Sequence, residues 1–123
     1  MNSRQIDRII RRHVRRFDGV YSIDTLPRHD GPKLLVANTD PADRPSEHWI
    51  AISVDDRGNG HYFDSFGSAL SKTFDDYMNR HCRRWSYNRT QFQSAASELC
   101  GHYCIVWCSV SYTHLTLPTN REV

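Results

Sequence analysis

The chain has 123 residues, enough for one domain with a modest hydrophobic core. Its hydrophobic content of 38% and charged content of 24% are ordinary for a globular protein. The longest apolar run, residues 104–108, is far too short to cross a bilayer, and the arginine-rich N-terminus has no apolar segment of the kind found in signal peptides. We therefore expect an intracellular protein, cytoplasmic or nuclear, without membrane contact and with four reduced cysteines.

Residues 1–16 are predicted to form a basic amphipathic helix. They contain six arginines against one aspartate, whereas the whole chain carries a net charge of only +2. Ile6, Ile9, Ile10 and Val14 fall near helical spacing, so we expect this apolar stripe to dock on the body of the protein. The interpretation we favour is that the arginines form a solvated face. The alternative is that they bind nucleic acid or an acidic partner, and the candidate residues are Arg8, Arg11, Arg12, Arg15 and Arg16.

The centre of the chain predicts a β-hairpin. Residues 17–21 begin a strand-like entry, residues 33–37 form a short buried strand, and residues 49–54 form a strand rich in β-branched and aromatic residues. A turn at 55–60 leads into a returning strand at 61–64. His48 therefore stands at the start of one strand and Asp64 at the end of its partner. In an antiparallel pair these two ends lie side by side, so the imidazole and the carboxylate can meet.

The second half of the chain predicts a helix at 71–84, a short strand at 85–88, a loop at 89–99 and an apolar helix at 100–110. This order predicts an α+β fold in which a small antiparallel sheet, with the hairpin at its centre, packs against helices. We expect one domain over residues 17–110. Thr113, Thr116 and Pro118 oppose helix, so we expect 111–123 to be a non-native or disordered tail and the domain to be incomplete at its C-terminus.

Four residues supply the parts that thiol-based acyl transfer needs. Cys100 begins the apolar helix, where a helix N-terminus stabilises a thiolate, and His48 would act as its general base. Asp64 would orient the imidazole, and the Gln93 amide would stabilise an oxyanion together with the Cys100 N–H. Each has a plainer interpretation: a buried apolar thiol, a surface histidine, a turn cap and a solvated glutamine, for which Gln91 is an immediate rival.

Further cysteines follow on the same helix. Cys104 and Cys108 lie one and two turns beyond Cys100. One interpretation is a zinc site that also recruits His81 and Cys82, but structural zinc sites take closely paired ligands from loops rather than thiols along one helix. We therefore predict that Cys104 and Cys108 are core residues and that no metal or other cofactor is required.

These residues together resemble the adenovirus-type (adenain-like) cysteine proteases, in particular the branch found in Maverick/Polinton transposons and viruses. The matching stretches run in order over roughly residues 17–110, and they are Gly19-Val-Tyr21, Asn38-Thr-Asp-Pro41, His48-Trp49, Tyr62-Phe-Asp-Ser-Phe-Gly67, Gln93 and Cys100-Gly-His-Tyr-Cys104. The SUMO and ubiquitin-like proteases share this active-site plan, but they have aspartate where this chain has Leu99 before the nucleophile.

The resemblance implies a papain-like or adenain-like core with His48, Asp64, Gln93 and Cys100 as catalytic residues. The implied activity is a cysteine endopeptidase that cleaves viral or transposon precursor proteins near glycine. The alternatives are an inactive, truncated remnant of such a protease, associated with nucleic acid through its arginine helix, and an isopeptidase that acts on ubiquitin-like modifiers. The expected partners are a polypeptide substrate and, through the N-terminal helix, DNA; the protein is expected to be a monomer.

Overall fold

The computed structural model describes residues 2–40, 48–92 and 99–116, with side chains described as far as residue 110. The elements in chain order are α1 (Ser3–His13), β1 (Gly19–Ser22), β2 (Lys33–Asn38), β3 (Trp49–Val54), β4 (Asn59–Phe63), α2 (Lys72–His81), β5 (Arg84–Tyr87) and α3 (Cys100–Thr116). Within the described residues, no helix combines the length and apolar character needed to cross a bilayer.

The five strands form one sheet in the order β1-β2-β3-β4-β5. The three inner strands are antiparallel, and β3 and β4 form the predicted central hairpin, with Ala51 opposite Phe63. The α+β class is therefore confirmed. The expectation of a wholly antiparallel sheet needs correction, because both edge strands pair in parallel. Parallel neighbours need a crossover connection, and α2 supplies the one between β4 and β5.

Each face of the sheet carries its own core because side chains alternate along a strand. Trp49 and Ala51 of β3 face a cluster built with α1 and α3. Ile50 and Ile52 face a second cluster built with α2, which buries Phe74, Tyr77 and Met78. The molecule is thus layered, with α1 and α3 on one side of the sheet and α2 on the other.

Helix α1 docks through the predicted apolar stripe. Ile6, Ile10 and Val14 are buried in the same cluster as α3, while Ile9 is half-buried. The helix ends at His13 rather than at residue 16, since Val14 adopts an extended conformation that lets its side chain enter the core. A capping box between Asn2 and Gln5 closes the helix start.

The C-terminal ends of α2 and α3 also differ from expectation. Helix α2 stops at His81 rather than residue 84, because Cys82 is extended and Arg84 already pairs with Asn59 of β4. Helix α3 continues to Thr116, so residues 111–116 correct the prediction that helix ends at 110. Threonine lowers helix propensity only modestly, and the first proline after Cys100 is Pro118. Residues 117–123 of the predicted tail lie outside the described residues.

Candidate active site

The hairpin brings His48 and Asp64 together at one end of the sheet. His48 immediately precedes β3, and Asp64 immediately follows β4. The Nε2 atom of His48 lies 2.7 Å from Oδ1 of Asp64, and the two side chains keep only 14% and 6% of their surface. A short hydrogen bond in so dry a setting fixes the orientation of the imidazole and leaves its other nitrogen for a different partner.

Asp64 also caps the turn that follows β4, as its plainer interpretation predicted. Its Oδ1 atom, which binds His48, accepts the Phe66 N–H at 2.8 Å, and its carbonyl oxygen accepts the Gly67 N–H at 2.8 Å. Gly67 adopts a φ of +70°, which glycine tolerates at little cost. The turn and His48 therefore bind the same carboxylate oxygen of Asp64.

Asn88 holds the backbone of Asp64. Its Oδ1 atom accepts the Asp64 N–H at 2.9 Å, and its Nδ2 donates to the Asp64 carbonyl oxygen at 2.6 Å. Asn88 directly follows β5, the parallel neighbour of β4, so its side chain continues the ladder one step beyond the strands. The sequence analysis missed this residue, since nothing near Asn88 in the chain indicates a contact 24 residues away.

Phe66 covers the imidazole. Its ring stacks on His48 with centroids 4.1 Å apart and planes inclined by 4°. From the sequence, Phe66 was part of the motif at 62–67 and had no role of its own. The available signal was its position two residues after Asp64.

Cys100 opens α3 next to the start of β3. The thiol is 5% exposed, and its Sγ atom accepts the backbone N–H of Trp49 at 3.4 Å. Trp49 packs in the same cluster as Cys100, so it is both a core residue and a wall beside the thiol. The residue that follows His48 thus ties β3 directly to the candidate nucleophile.

The local electrostatics favour a charged pair. Burial acts to lower the pKa of His48, but the hydrogen bond and charge of Asp64 and the nearby Cys100 outweigh it and raise that pKa to about 9. Burial acts to raise the pKa of Cys100, but His48 and the N–H groups of Trp49 and Gly101 outweigh it and lower that pKa. The two directions together favour an imidazolium facing a thiolate.

The geometry identifies the nitrogen that would serve the thiol. Since Asp64 takes Nε2 of His48, Nδ1 remains, and it is buried without a partner at hydrogen-bond geometry. Cys100 is nevertheless close enough to act on the pKa of His48. Catalytic hydrogen bonds are often long before substrate binds, and this arrangement fits that pattern.

Gln93 lies outside the described residues, but the chain just before it is anchored at the site. The Phe92 N–H donates to the Ser65 carbonyl oxygen at 2.8 Å, and the Tyr103 hydroxyl of α3 donates to the Phe92 carbonyl oxygen at 2.9 Å. Phe92 is therefore held between the Asp64 turn and α3. The rival Gln91 is exposed.

The other three cysteines are buried or half-buried. Cys104 and Cys108 are fully buried, and burial raises the pKa of both, as it does for the half-buried Cys82. Among the residues that the structure describes, no three His, Cys, Asp or Glu side chains are grouped so that they could hold a metal ion. The apolar-core interpretation of Cys104 and Cys108 agrees with this burial.

The arginines of the candidate nucleic-acid surface are exposed on α1 and the segment after it. A shallow groove of about 580 Å³ runs along the helix between Arg4, Asp7, Arg8, Arg11 and Arg12. Arg11 differs from the others because it pairs with Asp7 at 3.0 Å and donates to the Phe17 carbonyl oxygen. It therefore has a structural task besides any contact with a partner.

Two solved structures share this architecture. A selenomethionine crystal structure of the ASFV pS273R protease matches with a TM-score of 0.51 at 24% identity, covering 72% of this chain and 39% of that one. A second crystal structure of the ASFV pS273R protease gives a TM-score of 0.50 at 24% identity, covering 73% and 38%. The chain shares the fold of part of this viral protease.

This likeness concerns the fold. The chain spans about 39% of the length of the viral protease that it matches. No family model matches the sequence, and no curated protein matches it significantly.

Proposed function

We propose that this chain is the catalytic core of a cysteine endopeptidase, with Cys100 as nucleophile, His48 as base and Asp64 as orienting acid. The observation that carries the proposal is the His48–Asp64 hydrogen bond of 2.7 Å beside a thiol whose pKa is lowered by His48. A cysteine that was merely part of the core would have a raised pKa, as Cys104 and Cys108 have. The fold shared with a viral cysteine protease supports the same assignment.

The reaction would follow the thiol acyl-transfer sequence. The Cys100 thiolate attacks the scissile carbonyl carbon, the carbonyl oxygen becomes an oxyanion, and protonated His48 gives its Nδ1 proton to the leaving amine. Water then attacks the thioester carbonyl carbon while His48 takes a proton from it. The C–S bond breaks, the acid product leaves, and the Cys100 thiolate and protonated His48 are restored. Asp64 keeps Nε2 occupied throughout and stabilises the imidazolium.

The oxyanion would be held at the start of α3. The N–H of Cys100 is the first of that helix, and the first four helix N–H groups have no acceptor within the helix. Such donors, together with the positive end of the helix dipole, suit a developing negative charge. We assign the Gln93 side-chain amide as the second donor, on the basis of its place in the motif.

The substrate we propose is a polypeptide with glycine beside the scissile bond. Cys100 and Trp49 are each only 5% exposed, and a substrate residue with a side chain would need more room there than glycine needs. Viral or transposon precursor proteins are the substrate class of the adenain-like branch to which we assign the chain. A thiolate nucleophile requires reducing conditions, which favours the cytoplasm or nucleus.

A peptidase assay tests this proposal. Quenched-fluorescence peptides with Gly-Gly at the cleavage point should be cut by the wild-type chain and left intact by Cys100→Ala. Cys82→Ala, which removes a thiol away from His48, should retain activity and serves as the matched control. Equal activity in wild type and Cys100→Ala would exclude the proposed nucleophile.

The same assay separates the two alternatives. Release of a ubiquitin-like protein from a Gly-Gly isopeptide, without cleavage of precursor-type peptides, would favour the isopeptidase. An uncleaved peptide set together with a Cys100 thiol that titrates like a free cysteine would favour the inactive remnant.

We propose nucleic-acid binding as a separate property of α1 and the segment that follows it. The observation that favours it is the exposure of Arg8 and Arg12 on α1 and of Arg15 and Arg16 just after it, while the stripe of Ile6 and Ile10 is buried. Phosphate groups are bound by such cationic surfaces with a strong dependence on salt.

A further inference from the structure

Phe66 contacts both members of the His48–Asp64 pair at once. Its backbone N–H donates to Oδ1 of Asp64 at 2.8 Å, and the same oxygen accepts the hydrogen bond from His48. Its ring lies parallel to the imidazole at a centroid distance of 4.1 Å. One residue therefore fixes the carboxylate through its backbone and the imidazole plane through its side chain.

The turn determines where this ring stands. The Gly67 N–H donates to the Asp64 carbonyl oxygen at 2.8 Å and so closes the turn. Ser65, within this turn, is completely buried. The Phe92 N–H also binds the Ser65 carbonyl oxygen, so the turn is held from the chain on its far side. Phe66 is thus presented to His48 by a fixed backbone rather than by a free loop.

We propose that Phe66 is a positioning residue, whose ring holds the His48 imidazole in the plane that keeps Nε2 on Asp64 and Nδ1 toward Cys100. This inference rests on the proposed function, because positioning matters only if His48 transfers protons.

The physical reason is that a histidine ring has a broad χ2 preference and needs contacts on its faces to keep one orientation. A Phe ring stacked on one face restricts that rotation and shields the His48–Asp64 hydrogen bond from water. It also favours the protonated imidazole, since a cation is attracted to an aromatic face. The titratable groups that act on His48 are Asp64, after β4, and Cys100, at the start of α3.

The test compares variants with and without the ring. Phe66→Leu and Phe66→Met keep an apolar side chain and the backbone N–H but remove the stack, whereas Phe66→Tyr keeps it. We expect the two ringless variants to lower the pKa of His48, read by NMR of the ring nitrogens, by roughly half a unit to one unit. We expect kcat to fall about tenfold or more while KM changes less than about twofold. Phe66→Tyr should restore both quantities to near wild-type values.

Three results would overturn the proposal. The first is a ringless variant with the wild-type His48 pKa and kcat. The second is Phe66→Tyr being as impaired as Phe66→Leu, since the ring would then not be the cause. The third is a rise in KM with kcat unchanged, which would make Phe66 a substrate contact. Thermal unfolding of each variant identifies loss of fold, and having two ringless variants keeps the comparison decisive if one of them is unstable.

The NMR readout does not require peptidase activity. A wild-type chain that cleaves no peptide, with a His48 pKa that still falls when the ring is removed, would contradict the proposed function and leave the positioning contact intact. A chain that cleaves peptides equally well with and without the ring would contradict only the role of Phe66.

Discussion

His48 and Asp64 share a hydrogen bond of 2.7 Å although 16 residues separate them in the chain. The link between them is the β3–β4 hairpin, whose open end places the residue before one strand beside the residue after the other. An acid and a base that meet in this way depend on strand register, since a slip of one residue would move every side chain to the other face.

Replacing Asp64 by asparagine should reduce catalysis without unfolding the chain. Asparagine keeps the size of the side chain but removes the charge that raises the pKa of His48, so we expect that pKa to fall toward its ordinary value and kcat to fall by roughly 10²–10⁴. Steady-state kinetics with the glycine peptides measures the effect. Asp76→Asn is the matched control, because the Asp76 side chain of α2 is exposed, and it should leave kcat unchanged. A fully active Asp64→Asn would remove Asp64 from the mechanism.

The rate of peptide cleavage should be bell-shaped in pH. The lower limb reports formation of the Cys100 thiolate, at a pH below the ordinary thiol pKa. The upper limb should fall near pH 9, because there His48 loses the proton that the leaving amine needs. Measuring kcat/KM across pH 4–11 (a range of roughly this width covers both limbs) checks the shape. An upper limb near pH 6.5, the ordinary histidine value, would contradict the paired site.

The same shifts predict the pH dependence of folding stability. His48 has a raised pKa in the folded state, so its contribution is fully present below about 6.5 and is lost as pH rises through about 9. Chemical denaturation of wild type and His48→Gln at several pH values measures this contribution. The difference between the two free energies of unfolding should shrink across that interval. A constant difference would show that folding does not raise the pKa of His48.

Removing the Asn88 side chain should affect both stability and rate. Asn88→Ala leaves the Asp64 N–H without its partner and removes one of the two donors to the Asp64 carbonyl oxygen, and an unsatisfied buried polar group costs roughly 1–3 kcal/mol. We also expect a lower kcat, because Asp64 loses one of its supports. Asn79→Ala is the control, since the exposed Asn79 of α2 donates to the Asp75 carboxylate and accepts the Trp85 indole N–H, away from Asp64. It should lower the melting temperature slightly and preserve kcat.

Gly67 should tolerate alanine far less well than Gly31. Both have positive φ, at +70° and +97°, so alanine is strained at either position by about 1–2 kcal/mol. At Gly67 an added Cβ would also lie 2.8 Å from the Arg89 carbonyl oxygen, whereas nothing lies within 4 Å at Gly31. Thermal unfolding should show the larger loss for Gly67→Ala. Equal losses would mean that the turn can move away from Arg89.

Reversing the charges of the arginines on α1 and the segment after it tests nucleic-acid binding. Arg8, Arg12, Arg15 and Arg16 should be changed to glutamate together, leaving Arg11 because it is tied to Asp7 and Phe17. We expect binding to duplex DNA at low salt to be lost, along with the salt dependence of the binding constant.

The control for this experiment reverses the same number of charges elsewhere, at Arg28, Lys72, Arg80 and Arg84, and should retain most of the affinity. If the wild-type chain shows no salt-sensitive binding to DNA, the arginines of α1 are a solvated face, which was the interpretation favoured from the sequence.

The parts of the fold that the sequence predicted best are those with a strong local pattern. Strand β3 was predicted with its observed bounds because residues 49–54 are rich in β-branched and aromatic residues and end at a polar turn. The meeting of His48 with Asp64 followed from the hairpin alone. The helix at 100 was predicted at its start, where Cys100 lies, but its end at Thr116 was not, since threonines mark a helix end only weakly.

The parts that the sequence did not predict depend on long-range pairing. The parallel pairing of β1 with β2, and of β5 with β4, is set by where the crossover connections return to the sheet. No local pattern encodes this. Asn88 reaches Asp64 only because β5 lies beside β4, and Phe66 meets His48 only because the Asp64 turn points back across the hairpin. Gln93 was assigned by its place in the motif, and that assignment remains a prediction.

The hairpin turn at 55–58 lies at the opposite end of β3 and β4 from His48 and Asp64. With strand residues rising about 3.3 Å each, the tip and the site are roughly 17–20 Å apart. Sequence inserted at the tip would therefore be remote from the imidazole and the carboxylate. This makes the tip a place where a fluorescent tag, an affinity handle or a whole additional domain can be attached while the chemistry at the other end goes on undisturbed.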